Sequence, residues 1–261
     1  MSVATDLFAG TAAYYARYRP AYPAELIETL VRNADETERG RALDLGCGTG
    51  ELALPLAARF DEVIALDADA DMVAQGLPKA ERAGARNVVW QVRTAESYDP
   101  GDLRFDLVTA GASFHWMGRH LMAGRIRSWL RPGGAFALAG ANSTWNGDEP
   151  WQKAAVEIIQ RWLGPRRRAG SGQFSVGPER HEDVLRAAGY TVDEISFTAE
   201  QTWTLDTFIG YLYSTSFAAH RVLGERAADF EADLRCTLLD LEPDGRYRER
   251  LRFHLIVGTI P

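Results

Sequence analysis

The chain has 261 residues, 46% of them hydrophobic, which suffices for one sizeable core or for a domain carrying an insertion. Its formal charge of −7 argues against a phosphate-backbone partner such as DNA or RNA, since only a local basic patch could override it. Two cysteines, Cys47 and Cys236, lack the spacing of a disulfide framework or zinc site, and no apolar run approaches the length of a membrane span.

The first residues have no basic segment and no long apolar stretch, so no secretory leader is expected and the cytoplasm is the expected location. Residues 6–36 predict two helices, the second opened by Pro23 and running to about Val31. Tyr14, Tyr15, Tyr18 and Tyr22 cluster there around Arg17-Tyr-Arg-Pro20, and a polar connector follows at 35–40. Strand and helix patterns then alternate. Strands are expected at 41–45, 62–66, 88–92, 105–110 and 135–139. Helices are expected at 52–60, at 71–83 (capped by Asp69 or Asp71, closed by Gly84) and at 121–130. This alternation predicts an α/β fold, a Rossmann-like doubly wound sheet with helices on both faces.

Beyond Gly140 the rhythm changes. A turn-rich loop at 142–150 precedes an amphipathic helix at 151–163, with Val156, Ile159, Trp162 and Leu163 on one side. A polar loop at 164–177 carries Arg166, Arg167 and Arg168, read mainly as a solvated face, with a clamp for an acidic substrate as the minority reading. A short helix at 181–188, a long strand within 190–204, helices at 206–223 and 225–241 and a last strand at 250–260 complete the pattern.

The chemistry concentrates where the first strand meets Gly46-Cys-Gly-Thr-Gly50. Strand, glycine turn and helix in that order make a nucleotide-type site. Glycine there permits positive φ and close approach to bare main chain, and the helix N-terminus leaves N–H groups free for ligand oxygens. Cys47 meets the need for a small side chain in the turn. A dinucleotide fingerprint would place its third glycine at Glu51, which is an acid here. Asp44, two residues before Gly46, repels a pyrophosphate and suits a ligand bearing an ammonium group. Asp67 ends the second strand 21 residues past Gly46, the spacing of an acid that accepts hydrogen bonds from ribose hydroxyls. The fourth strand runs into Gly111-Ala-Ser-Phe-His-Trp116, where Gly111 permits close approach and Ser113, His115 and Trp116 stand at the ligand end of the sheet. His115 is the candidate general base, by the suitability of imidazole near neutrality; packing or orientation of a ligand is its other reading. His181, His220 and His254 lack metal spacing and are assigned to structure; no metal is expected.

The segment Leu43-Asp-Leu-Gly-Cys-Gly-Thr-Gly50 resembles the first motif of class I S-adenosylmethionine-dependent methyltransferases. The Tyr18-Arg-Pro-Ala-Tyr-Pro23 segment and the His115-Trp116 pair resemble a small-molecule subgroup of that family. The resemblance carries motifs from about Asp6 to Gly140 and only architecture beyond. It implies a seven-stranded sheet whose last strand is antiparallel and lies beside the fifth. It further implies an N-terminal helical lid over residues 1–40, a cofactor-binding core over 41–141, and cap helices with the last two core strands over 142–261. The implied cofactor is S-adenosylmethionine, leaving as S-adenosylhomocysteine. Its expected contacts are Tyr14, Arg19, Asp44, Gly46, Cys47, Gly48, Asp67, Ala68, Met72, Thr94, Ala95, Glu96, Ala110 and Gly111. Among them Met72 would pack on the adenine, Ala95 and Glu96 would hold its edge, and Arg19 would pair the cofactor carboxylate. Tyr18, Ser113, Trp116 and Trp145 are the expected substrate contacts. The acceptor would be a small, partly hydrophobic metabolite, and the chain a monomer or homodimer. Alternatives are a cofactor-binding protein without methyl transfer, in a regulatory or cyclase-like role, and a nicotinamide-dependent oxidoreductase, which Glu51 and Asp44 disfavour.

Overall fold

The computed structural model describes residues 7–34, 40–170, 172–174 and 177–260. The connector expected at 35–40 lies outside the described residues except for Gly40. The chain divides into two compact units. The sheet unit comprises Ala21–Ala141, Val176–Phe197 and Phe253–Pro261, and the helical unit comprises Met1–Pro20, Asn142–Ser175 and Thr198–Arg252.

The sheet has seven strands: β1 (Arg41–Leu45), β2 (Glu62–Asp67), β3 (Val88–Val92), β4 (Phe105–Gly111), β5 (Leu130–Ala141), β6 (Thr191–Thr204) and β7 (Arg246–Thr259). Their order is β3-β2-β1-β4-β5-β7-β6. The first five pair in parallel, while β7 runs antiparallel to β5, from Ala135 opposite Thr259 to Ala141 opposite Phe253. This is the Rossmann-like arrangement, with an antiparallel last strand, that the sequence implied. β4 is buried along Phe105–Ala110, as a continuous apolar run in a strand covered on both faces should be. β5 is longer than the expected 135–139, because its pairing with β4 shifts register between Phe105 and Leu107 and the Pro132–Gly134 segment bulges within it.

Helix α1 (Ala12–Tyr18) belongs to the helical unit, and α2 (Ala24–Arg32) to the sheet unit. α3 (Ala53–Ala57) follows β1 and is shorter than the expected 52–60. α4 (Ala70–Ala83) begins where the Asp69 carboxylate accepts the Asp71 N–H at 2.9 Å and ends at Gly84 with φ 66°. Its Gly76 lets the Trp90 indole of β3 lie against the helix backbone: an added Cβ would stand 2.5 Å from that ring. α5 (Arg119–Trp129) contributes Met122, Ala123 and Ile126 to the core beneath β4 and β5.

In the helical unit, α6 (Pro150–Leu163) buries Trp151, Ala155, Ile158 and Ile159; of the expected face, Ile159, Trp162 and Leu163 join the apolar cluster and Val156 is half-buried. α7 (His181–Ala187) returns the chain to the sheet unit. The helix expected over 206–223 is broken into α8 (Leu205–Tyr213) and α9 (His220–Leu223). The Ser214 and Thr215 hydroxyls donate to the Tyr211 and Leu212 carbonyls at 2.5 and 2.6 Å. Such local side-chain bonds compete with helical continuation. α10 (Ala227–Leu241) buries Phe230, Leu234 and Leu238 in the same apolar cluster as Trp151, Phe208 and Tyr247. Among the described residues no helix is long and apolar enough to cross a membrane.

Candidate cofactor site at the carboxyl ends of β1, β2 and β4

Gly46, Gly48 and Gly50 all have positive φ (66°, 56° and 94°). At Gly46 the need for glycine is double. The backbone is left-handed, and a Cβ would stand 2.6 Å from the Ser113 Cβ. The loop is held from two sides. The Cys47 N–H donates to the Leu66 carbonyl at 2.8 Å, and the Gly48 N–H to Asp67 Oδ2 at 2.8 Å. Asp67 Oδ1 accepts the Asp69 N–H at 2.9 Å. A backbone interaction from Ala68 adds to these two. Burial pushes the Asp67 carboxyl upward, and the backbone bonds from Asp69 and Gly48 oppose it. Ala68 follows directly and Met72 is buried on α4.

Asp44 is buried in β1. Its Oδ1 accepts the Thr109 hydroxyl at 2.9 Å and its Oδ2 the Ala53 N–H at 3.1 Å, the latter an open donor at the start of α3. Burial raises its pKa from 3.8 to about 7, against the lowering effect of the Thr109 bond. Burial likewise pushes the Cys47 thiol well above its usual range, with Asp44 adding to the shift. A neutral, inert thiol beside the loop fits a packing role for this cysteine.

Glu51, the residue that spoils a dinucleotide fingerprint, has a structural function. It accepts from the Thr49 hydroxyl at 2.5 Å and from Lys79 Nζ at 2.8 Å, and Lys79 also reaches Thr49 Oγ1 at 3.0 Å. This triad ties the loop to α4.

β4 ends in strain. Ala112 is the only described non-glycine residue with positive φ, at 50°, and its N–H donates to the Ala139 carbonyl at 2.8 Å. Beside it Ser113 is buried and donates to the Leu45 carbonyl at 2.6 Å, joining the end of β4 to the end of β1. Ala110 is buried, and a Cβ on Gly111 would stand 2.9 Å from the Tyr22 hydroxyl. His115 lies in a short turn, Phe114–Trp116, its ring 4.4 Å from the Trp116 ring and 6.4 Å from the His181 ring. His181 Nδ1 is 3.2 Å from an Arg119 Nη, and burial followed by the Arg119 charge lowers its pKa. After β3, Thr94 Oγ1 accepts the Ser97 N–H, Ala95 is buried, and Glu96 Oε1 accepts the Gly118 N–H at 3.0 Å. The structure thus brings Asp44, Gly46, Cys47, Gly48, Asp67, Ala68, Met72, Thr94, Ala95, Glu96, Ala110, Gly111, Ser113, His115 and Trp116 into the sheet unit. There they follow the carboxyl ends of β1, β2, β3 and β4, where open α/β sheets bind ligands.

The remaining candidates belong to the helical unit. Tyr14 stacks on Tyr18 with ring centroids 6.2 Å apart and meets Tyr213 edge-on at 5.3 Å. Tyr18 lies flat on Gly210 of α8, where a Cβ would be 2.5 Å from its ring. Arg19 donates to the Ser214 carbonyl at 3.1 Å, and Trp145 meets Phe217 at 5.6 Å.

Residues 42–134 match a family described as methyltransferase domain. The matched segment is 93 of the chain's 261 residues. It runs from β1 into β5 and contains the glycine loop, Asp67, Glu96 and His115. An uncharacterised methyltransferase of Mycobacterium bovis is 32% identical over 163 residues, covering 61% of this chain and 61% of that protein. The chain thus spans under two thirds of that relative's length. A trans-aconitate 2-methyltransferase of Deinococcus radiodurans is 33% identical over 124 residues, 44% of this chain and 42% of that protein. A structure from Anaeromyxobacter dehalogenans, provisionally described as a type II methyltransferase, superposes with TM-score 0.62 at 25% identity, over 93% of this chain and 97% of its own. The S-adenosyl-L-homocysteine complex of a methyltransferase from Thiobacillus denitrificans shares the fold, with TM-score 0.55 and 19% identity over 96% of both chains.

Several contacts of the site escaped sequence reasoning. Thr109 sits inside a buried strand, and its hydroxyl was not connected to Asp44, 65 residues away. Lys79 is one of only two lysines, a visible signal whose pairing with Glu51 needed the fold.

Proposed function

We propose that this protein transfers a methyl group from S-adenosylmethionine to a small, partly hydrophobic acceptor by in-line displacement. The observation that carries the reading is the positive-φ glycine loop tied by its Gly48 N–H to Asp67, with Asp44 buried beneath it. The methyltransferase-domain match over the same residues supports it.

The bound cofactor supplies a methyl group on a sulfonium, an electrophile that needs no covalent enzyme intermediate. The protein's residues do the rest. Asp67 would accept the ribose hydroxyls, and the side-chain-free backbone of the glycine loop would carry the nucleoside. Ala68 and Met72 flank the adenine, while Thr94, Ala95 and Glu96 line its edge. Asp44, Ala110 and Gly111 receive the amino-acid tail; Asp44 meets its ammonium and ionises as it does so. Ser113 and Trp116, both in the sheet unit, contact the acceptor and exclude water, which favours near-attack geometry. His115 takes the acceptor proton where one must leave. No nucleic acid or membrane partner is required.

Incubation with S-adenosylmethionine labelled in the methyl group, against a panel of organic acids, phenols and amines, tests the assignment. Label appearing in one class of acceptor with stoichiometric S-adenosylhomocysteine is the expected result. Cofactor uptake with no transfer to any class would instead make the protein a cofactor binder.

A further inference from the structure

The helical unit buries guanidinium nitrogens that meet no anion among the described residues. The Nε atoms of Arg19, Arg167 and Arg168 are all buried without a hydrogen-bond partner. None of these three arginines takes part in an ion pair among the described residues. Arg166 of the same run is exposed, as a solvated charge run should be, whereas Arg167 and Arg168 are half-buried with their Nε atoms enclosed.

Arg167 and Arg19 converge on the segment after α8. Arg19 donates to the Ser214 carbonyl and lies over the Tyr211 ring at 5.4 Å. Arg167 lies over Phe217 at 5.0 Å and over Phe174 at 4.4 Å. Burial lowers the Arg167 pKa, and the Arg19 charge adds to that effect, so the two cations feel each other. Two neighbouring half-buried cations that meet no carboxylate among the described residues oppose folding, and ring faces offset only part of that cost. A guanidinium fork is suited to oxyanions, which it binds through two parallel hydrogen bonds.

We propose that Arg167, with Arg19 beside it, is the receptor for the oxyanion of a small organic ligand whose apolar or aromatic body rests on Phe174, Phe217 and Tyr211. That ligand is therefore an organic acid, and the receptor stands independently of the methyl-transfer reading above. A carboxylate and a phosphate share the required chemistry.

Calorimetric titration of the full chain with benzoate, phenyl phosphate and benzamide tests this, with S-adenosylhomocysteine titrated in parallel. The variants are Arg167→Gln, Arg167→Lys and, as a control, Arg161→Gln, which removes a surface partner of Asp233. One of the two anions binds the wild type at least roughly tenfold more tightly than neutral benzamide. The better anion identifies carboxylate or phosphate as the natural group. Arg167→Gln weakens that anion by about tenfold or more, Arg167→Lys by less, and Arg161→Gln not at all. Arg167→Gln also melts no lower than wild type without ligand, because it removes a half-buried charge that meets no carboxylate among the described residues. Equal affinity for anions and benzamide, or an Arg167→Gln protein that binds like wild type, overturns the proposal. Weakened S-adenosylhomocysteine binding by Arg167→Gln also overturns it, by assigning the guanidinium to the cofactor's own carboxylate. Anion binding by a wild type that takes up no S-adenosylhomocysteine would uphold the anion receptor and refute the methyl-transfer reading.

Discussion

Replacing Asp44 with asparagine separates what the buried carboxylate costs the fold from what it contributes to a ligand. The pKa of Asp44 rises from 3.8 to about 7, and burial is the largest cause. A shift of about three units corresponds to about 4 kcal/mol. Between those two pKa values the folded chain holds the proton and the unfolded chain has lost it. Stability therefore falls as pH rises through this window and levels off above the folded pKa. Asparagine carries no charge. Its carbonyl accepts the Ala53 N–H in place of Oδ2, and its amide donates to the Thr109 hydroxyl, so neither contact is lost. Asp44→Asn is accordingly more stable than wild type at about pH 8, by about 4 kcal/mol at most, and the gain shrinks towards about pH 5. Urea unfolding at the two pH values measures it. The ligand effect has the opposite sign. A protonated Asp44 offers nothing to an ammonium, so wild-type affinity for S-adenosylhomocysteine falls about tenfold per unit below the folded pKa. The asparagine variant binds weakly at every pH. A stability difference independent of pH, or a flat wild-type affinity profile, would refute the reasoning.

Gly46→Ala and Gly84→Ala share a φ of 66° but differ in surroundings: the added Cβ meets Ser113 at 2.6 Å in the first and nothing within 4 Å in the second. The first costs about 2–4 kcal/mol and abolishes S-adenosylhomocysteine binding, while the second costs about 1 kcal/mol and spares it, as denaturation midpoints and calorimetry will show. Lys79→Met leaves Glu51 without its cation at 14% side-chain exposure, and costs about 1–3 kcal/mol in chemical unfolding. His115→Ala lowers kcat by about a hundredfold or more while leaving S-adenosylhomocysteine affinity intact, if the acceptor must lose a proton in the transition state. An unchanged kcat on a proton-bearing acceptor would remove His115 from proton transfer.

The legible part of the fold was its periodic part. β1 to β4 lie within a residue of their expected bounds, because continuous apolar runs punctuated by glycine and aspartate leave few alternatives. The glycine loop was legible for the same local reason: three alternate glycines specify positive φ. Misreadings arose where long-range contacts decide. The break between α8 and α9 depends on two hydroxyls that can either face solvent or take helix carbonyls, a choice not encoded in periodicity. On α6 the expected Ile159, Trp162 and Leu163 do meet the apolar cluster, but the pattern did not reveal that Trp151 and Gln152 bury polar atoms against β7. Trp151 donates to the Arg248 carbonyl at 3.1 Å, and Gln152 donates to the buried Glu249. Within the site, hydrogen-bond partners were not legible. Ser113, expected to meet substrate, donates to the Leu45 carbonyl, and Arg19, expected to meet the cofactor, donates to the Ser214 carbonyl. Both are bonds between residues far apart in the chain, invisible to any local pattern.

Calorimetric titration of the wild type and of Asp67→Ala with S-adenosylhomocysteine is the most direct measurement. The wild type should bind one equivalent in the micromolar range. Asp67→Ala, which removes both the candidate ribose acceptor and the anchor of the Gly48 N–H, should bind at least about a hundredfold more weakly. A folded wild type that shows no heat at millimolar ligand, or an alanine variant of unchanged affinity, would contradict the account.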